Sequence, residues 1–397
     1  MKRAGRLTNI PPYPFARWAG HIAVARQQGA DVIRLDVGNP DMPPPDEVIE
    51  ALCQSARHPD HHGYPGYRGL PTLREAIVRY YKRRFGVALD PETQVVPLLG
   101  SKEGIVNLAL ACLDPGDLVL VPDPGYAPYR MGTALASAEA YMFPLLPERG
   151  FLPDLEAIPA AVADRAVMMW LNYPNNPTGG TADLAFFAQA VDYARCHGLL
   201  LCHDAPYCDV TYDGYVAPSL LEVDGASDVA VEFNSLSKTA NMAGWRVGMA
   251  VGNAAALASL AQVKPNVDSG VFRPLQDAAI HALSVDTDWL SARNQVYRER
   301  LDIVLAGLEA AGMTAPRPRA TLYVWARIPE PGGRQASAGW TAETFALKLL
   351  EHTGVAIVPG SFFGPGGEGY VRISVTAPTA QVREAMQRLR RFTAALD

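Results

Sequence analysis

Asn234-Ser235-Leu236-Ser237-Lys238, with Gly244-Trp245-Arg246-Val247-Gly248 just after it, decides how this 397-residue chain is read. A lysine sits among small hydroxyls, and an arginine follows eight positions later. A lysine amine forms Schiff bases with carbonyls, while hydroxyls and a guanidinium suit a phosphate. For a bare Ser-x-Ser-Lys the bland reading, a solvated lysine in a polar turn, wins most of the time, because short patterns recur by chance. Here it loses, because three further clusters supply the partners such a lysine needs.

The first is Gly100-Ser101-Lys102-Glu103, which follows an apolar run over 95–99 and opens a helical pattern over 105–113. A Gly-Ser turn at a helix N-terminus aims free N–H groups at one spot, a natural phosphate seat, although serine is also an ordinary cap. The Gly-Lys-Ser/Thr order of a Walker loop is missing. The second is Asn172-Tyr173-Pro174-Asn175-Asn176-Pro177-Thr178-Gly179, after the apolar strand 167–171. Its prolines, asparagines and glycine make a rigid loop at a strand's C-terminal end, where α/β sheets bind ligands. The third is His203-Asp204-Ala205-Pro206-Tyr207, after the strand 199–202. A carboxylate there can pair with a protonated pyridine nitrogen. At about 4 Å and an effective dielectric near 20 that pairing is worth roughly 4 kcal/mol, or about 3 pK units. Tyr207 lies three residues on, within reach of a phenolate oxygen, although an isolated Asp-x-x-Tyr is more often a surface pair or a cap. Lysine, phosphate seat and carboxylate together describe a site for pyridoxal 5′-phosphate.

As a set, these clusters resemble the class I/II aminotransferases of PLP fold type I, over nearly the whole chain. Within that family the resemblance is to the LL-diaminopimelate/aspartate aminotransferase branch. It rests on Gly100 to Ile105, Tyr173 to Gly179, Ser235 to Lys238 with Met242 and Gly244-Trp245-Arg246, and Asn266-Val267-Asp268-Ser269-Gly270. Asp36-Val37-Gly38-Asn39-Pro40-Asp41 is similar to the family's substrate-contacting loop. Tyr64-Pro65-Gly66-Tyr67-Arg68-Gly69-Leu70-Pro71 resembles the segment whose tyrosine crosses a dimer interface to the neighbour's phosphate. Pro124-Gly125-Tyr126 matches the place where an aromatic ring stacks on the pyridine, and Tyr370-Val371-Arg372-Ile373-Ser374 matches the strand whose arginine takes the substrate α-carboxylate.

The resemblance implies a catalytic Lys238 that holds the cofactor. Ser101, Lys102, Ser235, Ser237 and Arg246 surround its phosphate, with Tyr64 from a partner subunit. Asp204, Tyr207, Asn176 and Tyr126 surround its ring, and Gly38, Asn176 and Arg372 receive substrate. The implied activity is transamination between an amino acid and a 2-oxo acid, by ping-pong kinetics, in amino-acid biosynthesis, in a homodimer. Two departures bear on this. Ala240 and Ala243 stand where relatives often carry larger or hydroxyl residues, and 257–270 holds no arginine for a distal carboxylate, Lys264 being its one cation. LL-diaminopimelate, aspartate, alanine or a specialised donor therefore stay open. A PLP-dependent C–S lyase, or another lyase or synthase on the same fold, shares Lys238, Asp204 and Arg372 and is the alternative; a non-catalytic PLP-binding module ranks below both.

Composition bounds the rest. The chain is 49% hydrophobic and 19% charged with a net charge of −6, which gives no reason to expect a nucleic-acid partner. Met1-Lys2-Arg3 is followed by Pro11, Pro12 and Pro14, which interrupt any secretory apolar region. No apolar run is long enough to span a membrane. The five cysteines form no Cys-x-x-Cys pair and read as reduced thiols, so a cytoplasmic enzyme is expected. His58, Asp60, His61 and His62 lie together before Tyr64, but no distant ligand set converges on them, so no metal is expected.

Apolar strands near 95–99, 118–122, 139–143, 166–171, 199–203, 229–233 and 246–251 alternate with helical patterns such as 182–196. This predicts an α/β fold with a mainly parallel sheet covered by helices, which the resemblance makes seven-stranded, plus a smaller α+β C-terminal domain. A long helix over 289–311 with a charged face at Arg293, Arg298, Glu299, Arg300 and Glu309, a strand over 321–328, and paired strands over 355–359 and 370–375 belong to that lobe. Helices near 342–351 and 380–396 complete it, and 329–333 and 365–369 read as loops. The expected division is 1–45, joining the small domain and covering the site; 46–284, the PLP-binding domain; and 285–397.

Overall fold

The computed structural model describes residues 4–8, 10–329 and 340–396. The readings of Met1 to Arg3 and of all but the first residue of the 329–333 loop fall outside them.

The strands are β1 (Ile33–Arg34), β2 (Val95–Leu98), β3 (Leu118–Asp123), β4 (Glu139–Pro144), β5 (Ala166–Asn172) and β6 (Leu200–Asp204). They continue as β7 (Ala230–Ser235), β8 (Gly248–Gly252), β9 (Tyr323–Arg327), β10 (Val355–Ala356), β11 (Val358–Pro359) and β12 (Tyr370–Ser374). Seven form one sheet in the order β2-β8-β7-β6-β5-β3-β4. These are the seven strands read from the sequence, each found within two residues of its expected limits. Inner strands such as β5 and β7 are buried almost throughout because both faces are covered; β5 is apolar as far as Leu171, whereas β7 still alternates, with Glu232 and Asn234 buried in turn with Val231 and Phe233. Helix limits follow local chemistry: Asp183 caps Leu184–His197 by accepting from Phe186 N at 2.8 Å, and Gly198 ends it at φ 64°.

One strand runs against the rest. β8 is antiparallel to both neighbours, whereas β7-β6-β5-β3-β4 are mutually parallel. Gly248 therefore pairs with Leu98 at one side and Ser235 at the other. The reversal puts the start of β8, and Arg246 two residues before it, at the same edge as the carboxyl ends of β2, β5, β6 and β7.

The later part of the chain forms a three-stranded antiparallel sheet, β11-β12-β9. The continuous strand expected over 355–359 is divided at Ile357. Its first half, β10, pairs in parallel with β1 from the N-terminal segment, and only β11 pairs with β12. Ser374 N also donates to Leu35 O at 2.8 Å, so the first forty residues are stitched into the last fifty. Part of the expected 365–369 loop is a short 3-10 turn, Pro365–Gly367.

The long helix Thr287–Ala310 corrects one expectation. Arg298, Glu299 and Glu309 are exposed, but Arg293 and Arg300 are buried. Together with Tyr297, Leu301, Val304 and Leu308 they lie on the stripe that faces the protein. Arg300 is spent on Asp41, with its two terminal nitrogens 2.7 and 2.9 Å from the carboxylate. Among the described residues no helix is long and apolar enough to cross a membrane, and the five cysteines are unpaired. His58 and His61 stack, and His61 and Ser55 meet Asp277.

Candidate active site

A cavity of about 370 Å³ opens where the carboxyl ends of the sheet face the N-terminal segment and the small lobe. Gly38, Ser101, Lys102, Tyr126, Asn176, Asp204, Tyr207, Ser235, Ser237, Lys238, Arg246 and Arg372 all line it. Tyr64 does not: it is 91% exposed, away from the cavity of its own chain.

One corner of the cavity is built for an anion. Ser101 starts the helix Ser101–Cys112, whose first N–H groups have no partner within the helix. Ser235 Oγ donates to Ser237 Oγ at 2.9 Å, and Arg246 Nη1 lies 3.4 Å from Ser237 Oγ. Arg246 itself has φ 57°, a conformation tolerated where the surroundings impose it. Its guanidinium lies against Gly100, which sits at φ 81°; a Cβ there would come within 2.3 Å of Arg246 Nη2. A Cβ on Gly248 would meet Ser101 N at 2.8 Å. The two glycines keep the cradle open.

At the end of β6 one oxygen of Asp204 accepts from Tyr129 at 2.8 Å, while the buried Oδ1 has no partner among the described residues. Burial raises this carboxyl to about 6, against the opposing pull of Tyr129 and His203. An unpaired buried acceptor of this kind waits for a cationic donor. Asn172 Nδ2 donates to Asp204 O at 2.6 Å, and Asn172 Oδ1 accepts from Asn176 N at 2.8 Å, tying the β5 loop to the β6 loop.

Lys238 lies on the short helix Leu236–Thr239 and donates to Gly38 O from the N-terminal segment. Burial holds its amine below the ordinary lysine range; Tyr323 opposes this, and Arg372 and Arg246 add to it. The shift is toward the neutral form in which a lysine acts as nucleophile or base.

Arg372 donates to Asn176 Oδ1 at 2.8 Å and to Asp36 O at 2.9 Å, and its buried Nε has no partner among the described residues. The bond fixes the Asn176 amide with its oxygen toward the guanidinium, so the nitrogen is left for a ligand oxygen. Rings surround the guanidinium: Tyr323 at 4.0 Å from its centroid, Phe363 at 4.8 Å and Phe15 at 5.9 Å. Tyr207 and Tyr323 meet hydroxyl to hydroxyl at 3.0 Å. Burial pushes the Tyr207 phenol well up, helped by Tyr323. Tyr323 goes the other way: burial alone would raise it, but Arg372, Lys238 and the bond from Tyr207 outweigh burial.

Tyr323, Tyr129, Tyr13 and Phe15 are site residues that sequence reading missed. For Tyr323 a signal existed, since the β9–β12 register places it diagonally across from Arg372. Tyr129 lies one turn beyond Tyr126 on the same chain segment. Tyr13, under the Lys102 amine at 4.6 Å, and Phe15 come from a proline-rich segment with no periodic pattern.

The sequence-family model for "Aminotransferase class I and II" matches residues 30–389. The chain belongs to the class I and II aminotransferases. A protein of Moorella thermoacetica named LL-diaminopimelate aminotransferase is 49% identical over 391 residues, covering 98% of each chain. A protein of the same name from Desulforudis audaxviator is 51% identical over 387 residues, covering 98% of this chain and 97% of that one. Among solved structures, substrate-bound BacF of Bacillus subtilis superposes with TM-score 0.93 at 38% identity, covering 99% of this chain and 98% of its own. A probable N-succinyldiaminopimelate aminotransferase of Thermus thermophilus gives TM-score 0.88 at 39% identity, covering 95% and 99%.

As an aminotransferase of this family the protein is a PLP-dependent transaminase acting on an amino acid and a 2-oxo acid. The residues present fit that cofactor: an anion cradle that a Cβ would fill, an unpaired carboxylate oxygen for the pyridine nitrogen, and a lysine of lowered pKa in the same cavity. The one cation of the 257–270 segment takes no part. Lys264 is buried between Asp268 at 2.6 Å and Glu103 at 3.4 Å.

Proposed function

We propose that this aminotransferase takes its amino group from LL-diaminopimelate, or from an amino acid closely like it, and passes it to a 2-oxo acid in a ping-pong cycle. Near-half identity along the whole chain to the two relatives so named carries the substrate class. Pyridoxal phosphate, when bound, supplies the electron sink that makes the substrate α-proton removable. Ser101, Ser235, Ser237 and Arg246 would hold its phosphate, Asp204 its pyridine nitrogen, Tyr207 and Asn176 its phenolic oxygen, and Tyr126 would stack on its ring. Lys102 stands at the rim beside the phosphate group of residues. Arg372 grips the substrate α-carboxylate with a planar fork held by its aromatic surround, near Gly38. Lys238, its amine shifted by burial toward the neutral form, takes the proton from the α-carbon and later returns it. The partner's Tyr64 would complete the phosphate site in a homodimer, in keeping with its exposure on one chain. We further assign the enzyme to the cytoplasm and divide it at residues 45 and 284, as the sequence suggests.

The test is a single-turnover screen of the cofactor-loaded protein with LL-diaminopimelate, aspartate, glutamate, alanine and aromatic amino acids, without acceptor. Bleaching of the cofactor's visible band by LL-diaminopimelate, with one equivalent of oxo acid formed, is the expected result. A band that persists while pyruvate and ammonia accumulate would establish the lyase instead. Bleaching by another donor alone would reassign the substrate.

A further inference from the structure

Arg293 is a cation in the wrong place for a surface helix. It is buried, 3% exposed, and among the described residues no carboxylate lies within ion-pair distance of it. Its guanidinium is spent on backbone carbonyls. Nη1 donates to Lys238 O at 2.8 Å and to Thr239 O, and Nη2 donates to Asp209 O at 2.5 Å. Asn294 braces it, with Oδ1 accepting from Nε at 3.1 Å and from Nη2 at 2.8 Å, while Asn294 Nδ2 donates to the same Asp209 O at 3.0 Å. Trp289 lies 5.4 Å from the guanidinium on the same helix. The nearby Asp209 carboxylate is occupied elsewhere, by Tyr80 at 2.6 Å and Arg84 at 2.9 Å.

The acceptors matter more than their number. Lys238 and Thr239 are the last residues of the short helix that carries the reactive amine, and their carbonyls have no continuing turn to accept from. Asp209 follows Tyr207 by two residues on the β6 loop. One guanidinium from the long helix of the C-terminal lobe thus ties together the two loops whose side chains, Lys238 and Tyr207, both line the cavity. Burying an arginine without a counter-charge is costly, and so specific a placement calls for a return.

We propose that Arg293 is a positioning residue: it fixes the backbone of Lys238 against the Tyr207 loop and makes the placement of the amine depend on the seating of the C-terminal lobe. This rests on Lys238 being the residue that holds the cofactor, as proposed above.

Borohydride reduction of the loaded wild-type enzyme, followed by peptide mass mapping, checks that premise separately; cofactor mass on any peptide other than that of Lys238 would remove the premise and not the contact. The test compares R293M, R293K and N294A. Three readouts are used: steady-state kinetics, the pH midpoint at which the cofactor's visible band titrates, and amide exchange of residues 236–242 in the cofactor-free protein. In R293M, kcat is expected to fall by about tenfold or more, with KM changed by less than about threefold, because the amine and not substrate binding is displaced. The band midpoint shifts, and exchange over 236–242 speeds up. R293K recovers part of each effect, and N294A, which removes the brace and keeps the charge, moves each in the same direction by less. A variant set that lowers Tm alone, with kcat, band midpoint and local exchange as in wild type, would overturn the proposal. Should R293M not fold, wild-type values of all three readouts in both R293K and N294A would overturn it equally.

Discussion

Asp204 carries a proton balance set by its burial. Burial raises its carboxyl to about 6 from the ordinary 3.8, so the cofactor-free folded protein holds this proton more tightly than the unfolded chain does. Its contribution then favours folding below about pH 4 and is lost as pH rises through about 6. At neutral pH the ionised, half-paired group costs about 3 kcal/mol. Asp204→Asn in the cofactor-free protein is therefore expected to raise Tm at neutral pH, with the gap from wild type closing at about pH 4. Calorimetry across that range checks it, and a variant no more stable than wild type at neutral pH would contradict it. In the proposed role Asp204 pairs with the pyridine nitrogen in its ionised form, so wild-type affinity should fall as pH drops through about 6, and the Asn variant should bind weakly throughout. Tyr323 makes a simpler case. Tyr323→Phe leaves the Tyr207 hydroxyl without its partner and removes the oxygen beside Arg372. A loss of about 1–2 kcal/mol, roughly 5- to 30-fold in kcat/KM for the amino donor, is expected from steady-state assays.

The turns at strand ends show what a sequence reveals and what it hides. Ser101, Asn176, Asp204, Ser235 and Lys238 were legible because each lies at the end of an apolar strand or in the turn just after it, and a parallel sheet delivers such residues to one edge. Arg246 was legible by motif, but its arrival at that edge needs the reversal of β8, which no local pattern records. The 355–359 stretch was read as one strand because its apolar run is continuous, while the structure shares it between two sheets. Arg293 and Arg300 were read as solvated because they are charged, although their spacing with Tyr297 already marks the buried stripe. The Gly100 turn gives a test at this level. Gly100→Ala would place a methyl carbon against Arg246 and force a non-glycine residue to φ 81°. The backbone penalty is about 1–2 kcal/mol. Cofactor affinity, followed by titration of the cofactor-free protein, should fall by more than about tenfold, beyond what a modest drop in Tm explains. Unchanged affinity would mean that the cradle does not serve the phosphate.

Across the whole molecule, the site is incomplete on one chain if Tyr64 serves a neighbour. Lys238→Ala and Tyr64→Ala subunits, each of low activity alone, should regain activity when mixed and allowed to exchange, since one site in each hybrid then has both residues. Activity that stays at the sum of the separate variants, despite exchange shown by native mass spectrometry, would argue against a shared site. The exposed Tyr64, Tyr67, Val267 and Phe272 are further surface apolar groups that a single-chain reading of hydrophobicity does not place. The pairing of β1 with β10 has a different consequence, which concerns synthesis on the ribosome. Residues 95–252 contain every strand of the large sheet and can settle as soon as they emerge. Ile33 and Arg34 are made long before their partners Val355 and Ala356 and must wait for them, and Leu35 waits for Ser374. Gly38, which receives the Lys238 amine, rides on that waiting segment. A nascent chain is thus expected to hold an assembled sheet but an open reaction chamber until Val355 to Ser374 have emerged, and the site closes only after they do.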